Sequence, residues 1–232
     1  RMRAHGVQVH LQHEVERLEA DAQGNVARVV TKQGAFDVDC AVIAIGVVPN
    51  TVWLLGSGIT LDDGGGVVVD DQQRTNLPNI FAAGDCASVR WRDGAQRPEQ
   101  LWYTGRDQGR VAARALLGQT GEAARYRRPT WYNSAKLMDI EYTTAGLVNT
   151  KQPGEREWYF EERAAVRSTT RIVHTDAGVI GFNLLGRRWD HTVLMGFIDA
   201  QRSLAYALDH LHEAAFDTEL VPKLSFPHEG SR

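Results

Sequence analysis

Cysteine is scarce in this 232-residue chain: Cys40 and Cys86 stand in unrelated contexts, with no Cys-x-x-Cys between them. That excludes a disulfide framework and makes a reducing cytoplasm the expected compartment. Charge of one sign is not in excess either. Twenty-six Lys and Arg against 29 Asp and Glu leave a net charge of −3, which gives no support to nucleic-acid binding. No apolar run approaches the length of a membrane span. Arg1-Met2-Arg3 leads into polar alternation rather than a secretory leader. No Gly-x-Gly-x-x-Gly and no Gly-x-x-x-x-Gly-Lys occurs, so the triple glycine Gly64-Gly65-Gly66 reads as a turn and not a phosphate cradle. No metal pattern is present. His210 and His212 are two apart on a predicted helix and point to different faces, and His10 and His13 carry no ligand spacing. Internal repeats and low-complexity tracts are absent.

What is there supports a substantial core. Hydrophobic residues make up 43% of the chain, enough for one large domain or two ordinary ones. Alternation predicts a half-buried strand over Val7 to His13. Further strands are predicted at Val26 to Thr31 and Phe36 to Asp39, bounded by turns at Gln23-Gly24-Asn25 and Gln33-Gly34. Cys40 to Gly46 is a continuous apolar run, the pattern of a strand buried on both faces of a parallel sheet. It runs out into the loop Gly46-Val47-Val48-Pro49-Asn50. Val67 to Asp70 reads as another strand.

The stretch Thr75 to Ala87 organises the rest. A polar turn enters a short apolar strand, Ile80 to Ala83, which ends on Gly84 and Asp85. Ligands of open α/β sheets bind outside the carboxyl ends of strands, and a carboxylate there suits a hydroxyl-rich ligand. A turn cap is the bland alternative for an isolated Gly-Asp. A loop with Trp91 and Arg92 follows. Pro98 is expected to open a helix that Gly118 closes, with Leu101, Gly105, Gly109, Ala112, Ala113, Leu116 and Leu117 on its packed face and Arg106, Arg110 and Arg114 in solvent.

Charge and proline at Gly121 to Pro129 mark a linker. Beyond it antiparallel strands are predicted at Leu137 to Leu147, Glu157 to Glu162, Thr169 to His174 and Val179 to Leu185. Thr175-Asp176-Ala177-Gly178 is a hairpin signal between the last two. One amphipathic helix is expected from Thr192 to Glu213, with Val193, Leu194, Phe197, Ile198, Leu204, Leu208 and Leu211 as its apolar stripe. Trp131, Tyr132, Trp158 and Tyr159 are expected mostly in the core of this part.

Two linked motifs carry a family resemblance. Ala44-Ile45-Gly46-Val47-Val48-Pro49-Asn50 and the Thr-x-x-x-x-Ile-x-Ala-x-Gly-Asp pattern of Thr75 to Asp85 occur in order, with Gly65 to Asp70 between them. Residues 1 to about 120 resemble the C-terminal half of FAD-dependent pyridine nucleotide-disulfide oxidoreductases, and most nearly the ferredoxin-reductase, nitrite-reductase and NADH-oxidase flavoproteins. The fold so implied is α/β and α+β: partial nucleotide-binding domains followed by an antiparallel sheet-plus-helix domain. Residues 1–50 would end the NAD(P)-binding domain, 51–122 would be the last segment of the FAD-binding domain, and 123–232 an interface-like domain.

The resemblance implies hydride transfer from NAD(P)H to FAD and electron delivery to an acceptor. Asp85 would accept hydrogen bonds from the ribityl chain and Gly84 would permit its approach. Backbone amides around Gln100, Leu101 and Trp102 would face the flavin pyrimidine edge, and Gly46, Val47 and Pro49 would lie on the nicotinamide side. No catalytic side chain and no metal is assigned. The family's two glycine fingerprints are absent, and so is the His-Pro dipeptide of glutathione-reductase-like enzymes. The chain is therefore expected to be a fragment that does not retain FAD or NAD(P)H alone. A homodimer and a redox acceptor, protein or small molecule, are the expected partners, with no nucleic acid and no membrane. The alternative is a dimerisation or partner-docking module without a complete cofactor site.

Overall fold

The computed structural model describes residues 2–91, 94–163 and 167–216. The chain divides into two compact units, one of residues 12–129 and one of residues 1–11 with 130–232. The first unit opens on an antiparallel three-stranded sheet of β1 (Val15–Ala20), β2 (Val26–Thr31) and β3 (Gly34–Asp37). Asp21 holds the β1–β2 turn, its carboxylate accepting from the backbone N–H groups of Gln23 and Asn25. The predicted strand over Val7 to His13 does not form, and strand geometry begins at Val15. β1 is instead fixed by pairing with β2, Val15 opposite Thr31. Among the described residues the alternation of residues 7–13 finds no partner strand.

Residues 40–50 correct the sequence more sharply. They form no regular structure, and Val42 (87% exposed) and Ile45 (92%) meet solvent. A doubly buried strand needs a neighbour on each edge and a layer on each face. Among the described residues this segment has neither. The predicted strand Ile80 to Ala83 is likewise reduced to a single bridge, Phe81 with Arg74. The strands that do form lie on either side of it. β4 (Val67–Val68) runs parallel to β5 (Ala87–Arg90), and β6 (Gln96–Pro98) pairs antiparallel with β5. Their small core is Leu54, Val67, Val69, Ala87 and Val89.

Pro98 thus closes a strand and does not open a helix. Helix α1 spans Trp102–Leu116. It ends as expected for glycine in the left-handed region. Gly118 (φ +71°) donates to the Ala115 carbonyl and Gln119 to that of Arg114, which satisfies two terminal carbonyls. The buried face is Thr104, Gln108, Val111, Ala112 and Ala115, which shares only Ala112 with the predicted one. Gly109 and Ala113 are exposed, as are Leu116 and Leu117. The face is rotated toward Gln108, whose Oε1 accepts the Gly84 N–H at 2.7 Å.

The second unit is a five-stranded antiparallel sheet in the order β7 (Tyr132–Leu137), β8 (Ile140–Gly146), β11 (Gly178–Leu185), β10 (Ser168–Thr175), β9 (Arg156–Glu162). The β10–β11 hairpin closes at Thr175 opposite Gly178, where the sequence signals it. β7 escapes the sequence reading because its residues 134–137 are exposed and carry no apolar alternation. The expected single helix is two: α2 (His191–Asp199) and α3 (Leu204–His210), followed by a 3-10 turn at Leu211–Ala214. Gln201 in the left-handed region (φ +50°) breaks it, and the Ser203 hydroxyl restarts it by accepting from the Tyr206 N–H at 3.2 Å. The apolar stripe survives the break. Leu194, Phe197, Leu204, Leu208 and Leu211 join Ile172, Phe182 and Leu184 in one core. Trp158 and Tyr132 pack at its margin, whereas Tyr159 is exposed. No helix among the described residues is long and apolar enough to cross a membrane.

Candidate functional site

The Gly84–Asp85 turn lies in the first unit, just before β5. Gly84 adopts φ +83°, which L side chains rarely take, so glycine is required there. Its carbonyl accepts from the Ala87 N–H at 2.9 Å, which anchors the turn to the first residue of β5. A Cβ built on Gly84 would meet nothing within 4 Å. The space beside this backbone is open. Asp85 is exposed at the tip and, among the described residues, makes no hydrogen bond or ion pair. It is therefore not the cap of its own turn, which removes the bland reading.

Helix α1 reaches the same turn. A Cβ on Gly105 would stand 3.2 Å from the Gly84 Cα, closer than side chains tolerate without displacement. Two glycines thus let helix and turn backbones touch. One helical turn further on, the buried Gln108 accepts the Gly84 N–H on Oε1 at 2.7 Å. At the start of the helix Leu101 has no side-chain cap, and its carbonyl accepts from the Gly105 N–H at 2.9 Å and from the Thr104 hydroxyl at 3.1 Å. The first-turn amides have no intrahelical acceptor, and such amides with the helix dipole favour negative charge. Gln100 and Leu101 are half-buried, and the Trp102 ring is exposed (71%).

Behind Gln108 lies a buried charged cluster. The Tyr126 hydroxyl donates to Glu99 Oε2 at 2.5 Å, and Arg128 Nε pairs with Glu99 Oε1 at 2.5 Å. The Arg128 guanidinium lies 3.8 Å from the centroid of Trp91. Burial first, and then Glu99, push the Tyr126 hydroxyl well above the ordinary tyrosine range, with Gln108 and Arg128 opposing. Gln108 Nε2 itself meets no partner in hydrogen-bonding geometry.

Of the residues singled out in the sequence, Gly84 stands against the first turn of α1, and Asp85 follows it in the turn. Gly46 (φ +108°), Val47 and Pro49 sit in the irregular segment, and no hydrogen bond among the described residues ties them to the turn. Arg92 lies outside the described residues. Cys86 is half-buried with its Sγ 3.7 Å from the Ala83 carbonyl, and Cys40 is exposed. Lys136 is a surface residue near Glu141, at 3.6 Å. Sequence reasoning missed Gln108, Glu99, Tyr126 and Arg128. The i, i+4, i+8 series Thr104, Gln108, Ala112 carried a signal, but it mixes polar with apolar residues. Among the described residues no cluster of His, Cys, Asp or Glu could hold a metal ion.

An open glycine backbone, an unpartnered carboxylate and an uncapped helix start fit a large polyhydroxylated, partly anionic ligand. Residues 1–109 match the pyridine nucleotide-disulphide oxidoreductase family. The chain is similar to the ferredoxin reductase subunit of 5,5'-dehydrodivanillate O-demethylase from a Sphingobium species. The two are 30% identical over 200 residues, 85% of this chain and 43% of that protein. It is 37% identical to rhodocoxin reductase of Rhodococcus erythropolis over 147 residues, 62% of this chain and 33% of that one. A solved FAD-dependent pyridine nucleotide-disulphide oxidoreductase from Desulfovibrio vulgaris superposes with a TM-score of 0.74 at 25% identity, over 92% of this chain and 54% of the other. The chain spans less than half the length of these curated relatives.

Proposed function

Because the chain belongs to the pyridine nucleotide-disulphide oxidoreductase family, we propose that it is the C-terminal part of an NAD(P)H-dependent flavoprotein reductase. The free Asp85 carboxylate on its glycine turn carries this reading. Bound FAD would supply the hydride and electron chemistry; the chain's own residues bind and orient. Asp85 accepts hydrogen bonds from ribityl hydroxyls. Gly84 leaves its backbone open to the ligand. The amides at Gln100, Leu101 and Trp102 favour negative charge on the pyrimidine edge. Gly46, Val47 and Pro49 belong to the nicotinamide side, and their strand-like segment 40–46 gains its pairing from further chain such as the relatives possess. The name of one curated relative, a ferredoxin reductase subunit, supports a redox acceptor of the ferredoxin-like kind, and the two unpaired cysteines support a cytoplasmic setting. Asp85→Ala in the longer flavoprotein tests the assignment. FAD content after dialysis should fall sharply, and unchanged content with intact folding would remove Asp85 from the site.

A dimerisation or docking module is the second reading. Exposed Leu137, Met138 and Tyr159 on the second unit favour it. Light scattering across concentrations should then give a dimer, and a monomer throughout would discard it.

A further inference from the structure

We propose that Gln108 is a positioning residue: its buried side chain sets the Gly84–Asp85 turn and locks it to helix α1. The proposal rests on the flavin reading for its consequence but not for its geometry. Gln108 is wholly buried (0% exposed) on a helix face otherwise completed by Thr104, Val111, Ala112 and Ala115. An apolar residue would fill this place without desolvating an amide. Gln108 Nε2 acts on the Tyr126 hydroxyl but without full hydrogen-bonding geometry, so the amide is only partly compensated. A buried amide that is only partly compensated marks a functional demand.

The demand is visible in the contact it makes. Oε1 accepts the Gly84 N–H at 2.7 Å, while the Gly84 carbonyl takes the Ala87 N–H at 2.9 Å. Both polar groups of Gly84 are thereby fixed, one by the helix and one by β5. The next residue, Asp85, leaves the turn in one direction although its carboxylate touches no protein partner. Gly105 sets the distance, since a Cβ there would crowd the Gly84 Cα at 3.2 Å. The spacing of Gly105 and Gln108, three residues apart, places both on the face that meets the turn. One glutamine therefore couples two elements that would share one ligand, the carboxylate turn and the helix start.

Amide hydrogen exchange on this chain, resolved at Gly84, reads the positioning without any flavin. Gln108→Leu should speed exchange at Gly84 about tenfold while the protection of β5 and the middle of α1 stays near wild type. Gln108→Glu, whose buried carboxyl stays protonated and keeps an acceptor oxygen, should restore Gly84 protection. Unchanged exchange at Gly84 in Gln108→Leu, or a uniform loss across β5 and α1 that Gln108→Glu does not rescue, overturns the proposal. In the longer flavoprotein Gln108→Leu should release FAD about tenfold faster with Asp85 intact, and Gln108→Glu should reverse this. If Gly84 exchange responds while Asp85→Ala leaves flavin retention untouched, the flavin reading fails and the positioning role stands. If Asp85→Ala strips the flavin while Gly84 exchange ignores position 108, the reverse holds.

Discussion

The two units treat apolar sequence in opposite ways. In the second, every strand of the five-stranded sheet has its partner, and the face it turns inward is closed by α2 and α3 over Phe182, Ile172 and Leu184. In the first, apolar residues of strand-like pattern at 42–48 stand in solvent, and the core cluster of the small sheet is built from small or medium side chains. The difference teaches that hydrophobic pattern specifies a strand only where a neighbouring edge exists to receive it. A sheet is a non-local object, and whether a segment joins it cannot be read from that segment's own pattern.

The sharpest way to break this comparison is to truncate an equally apolar residue in each unit. Phe182→Ala should cost roughly 3–5 kcal/mol, since a wholly buried ring leaves a cavity. Ile45→Ala should stay within about 0.5 kcal/mol because that side chain is already in water. Chemical denaturation of both variants checks the pair, and equal losses would erase the contrast.

Next in size is the charged cluster that substitutes for apolar packing in the first unit. Glu99→Gln leaves Arg128 without its counter-charge in a nearly buried place, and should cost roughly 3 kcal/mol. Denaturant midpoints would read it, and no change would mean that the pair is solvated in solution.

A pH dependence follows from the same cluster. The Tyr126 hydroxyl is raised above its ordinary value by burial and Glu99, so folding favours its neutral form. Its contribution is whole below the unfolded tyrosine range, near ~10, and is lost as pH climbs above it, where only the unfolded chain ionises. Tyr126→Phe should flatten this alkaline loss; thermal melts at rising pH would show it, and an identical slope in both proteins would contradict it. The smallest effect belongs to the surface pair Arg28–Asp37 across β2 and β3, at 2.8 Å but exposed. Asp37→Asn should leave the melting temperature unchanged at physiological salt.

These contrasts also mark what the sequence discloses. β2 is legible to the residue because its alternation and flanking turns are local, as is the β10–β11 hairpin with its Asp176-Ala177-Gly178 turn. The register of α1 is not, because Gln108 is a polar residue whose partner, Gly84, lies elsewhere in the chain. Pro98 misleads for a related reason: at the end of β6 no ladder bond is asked of its missing N–H. In the candidate site, Asp85 and Gly84 stand out from their motif alone. Gln108 does not, because only the fold brings it 2.7 Å from the Gly84 nitrogen.

The central claim is that Asp85 presents one part of a flavin site whose remainder lies in further chain. Its most direct test is the flavin-to-protein ratio, measured by absorbance, of this chain purified alone and of the longer flavoprotein. The account predicts a colourless chain and a longer protein with one FAD per molecule. One tightly held FAD on this chain alone would contradict it.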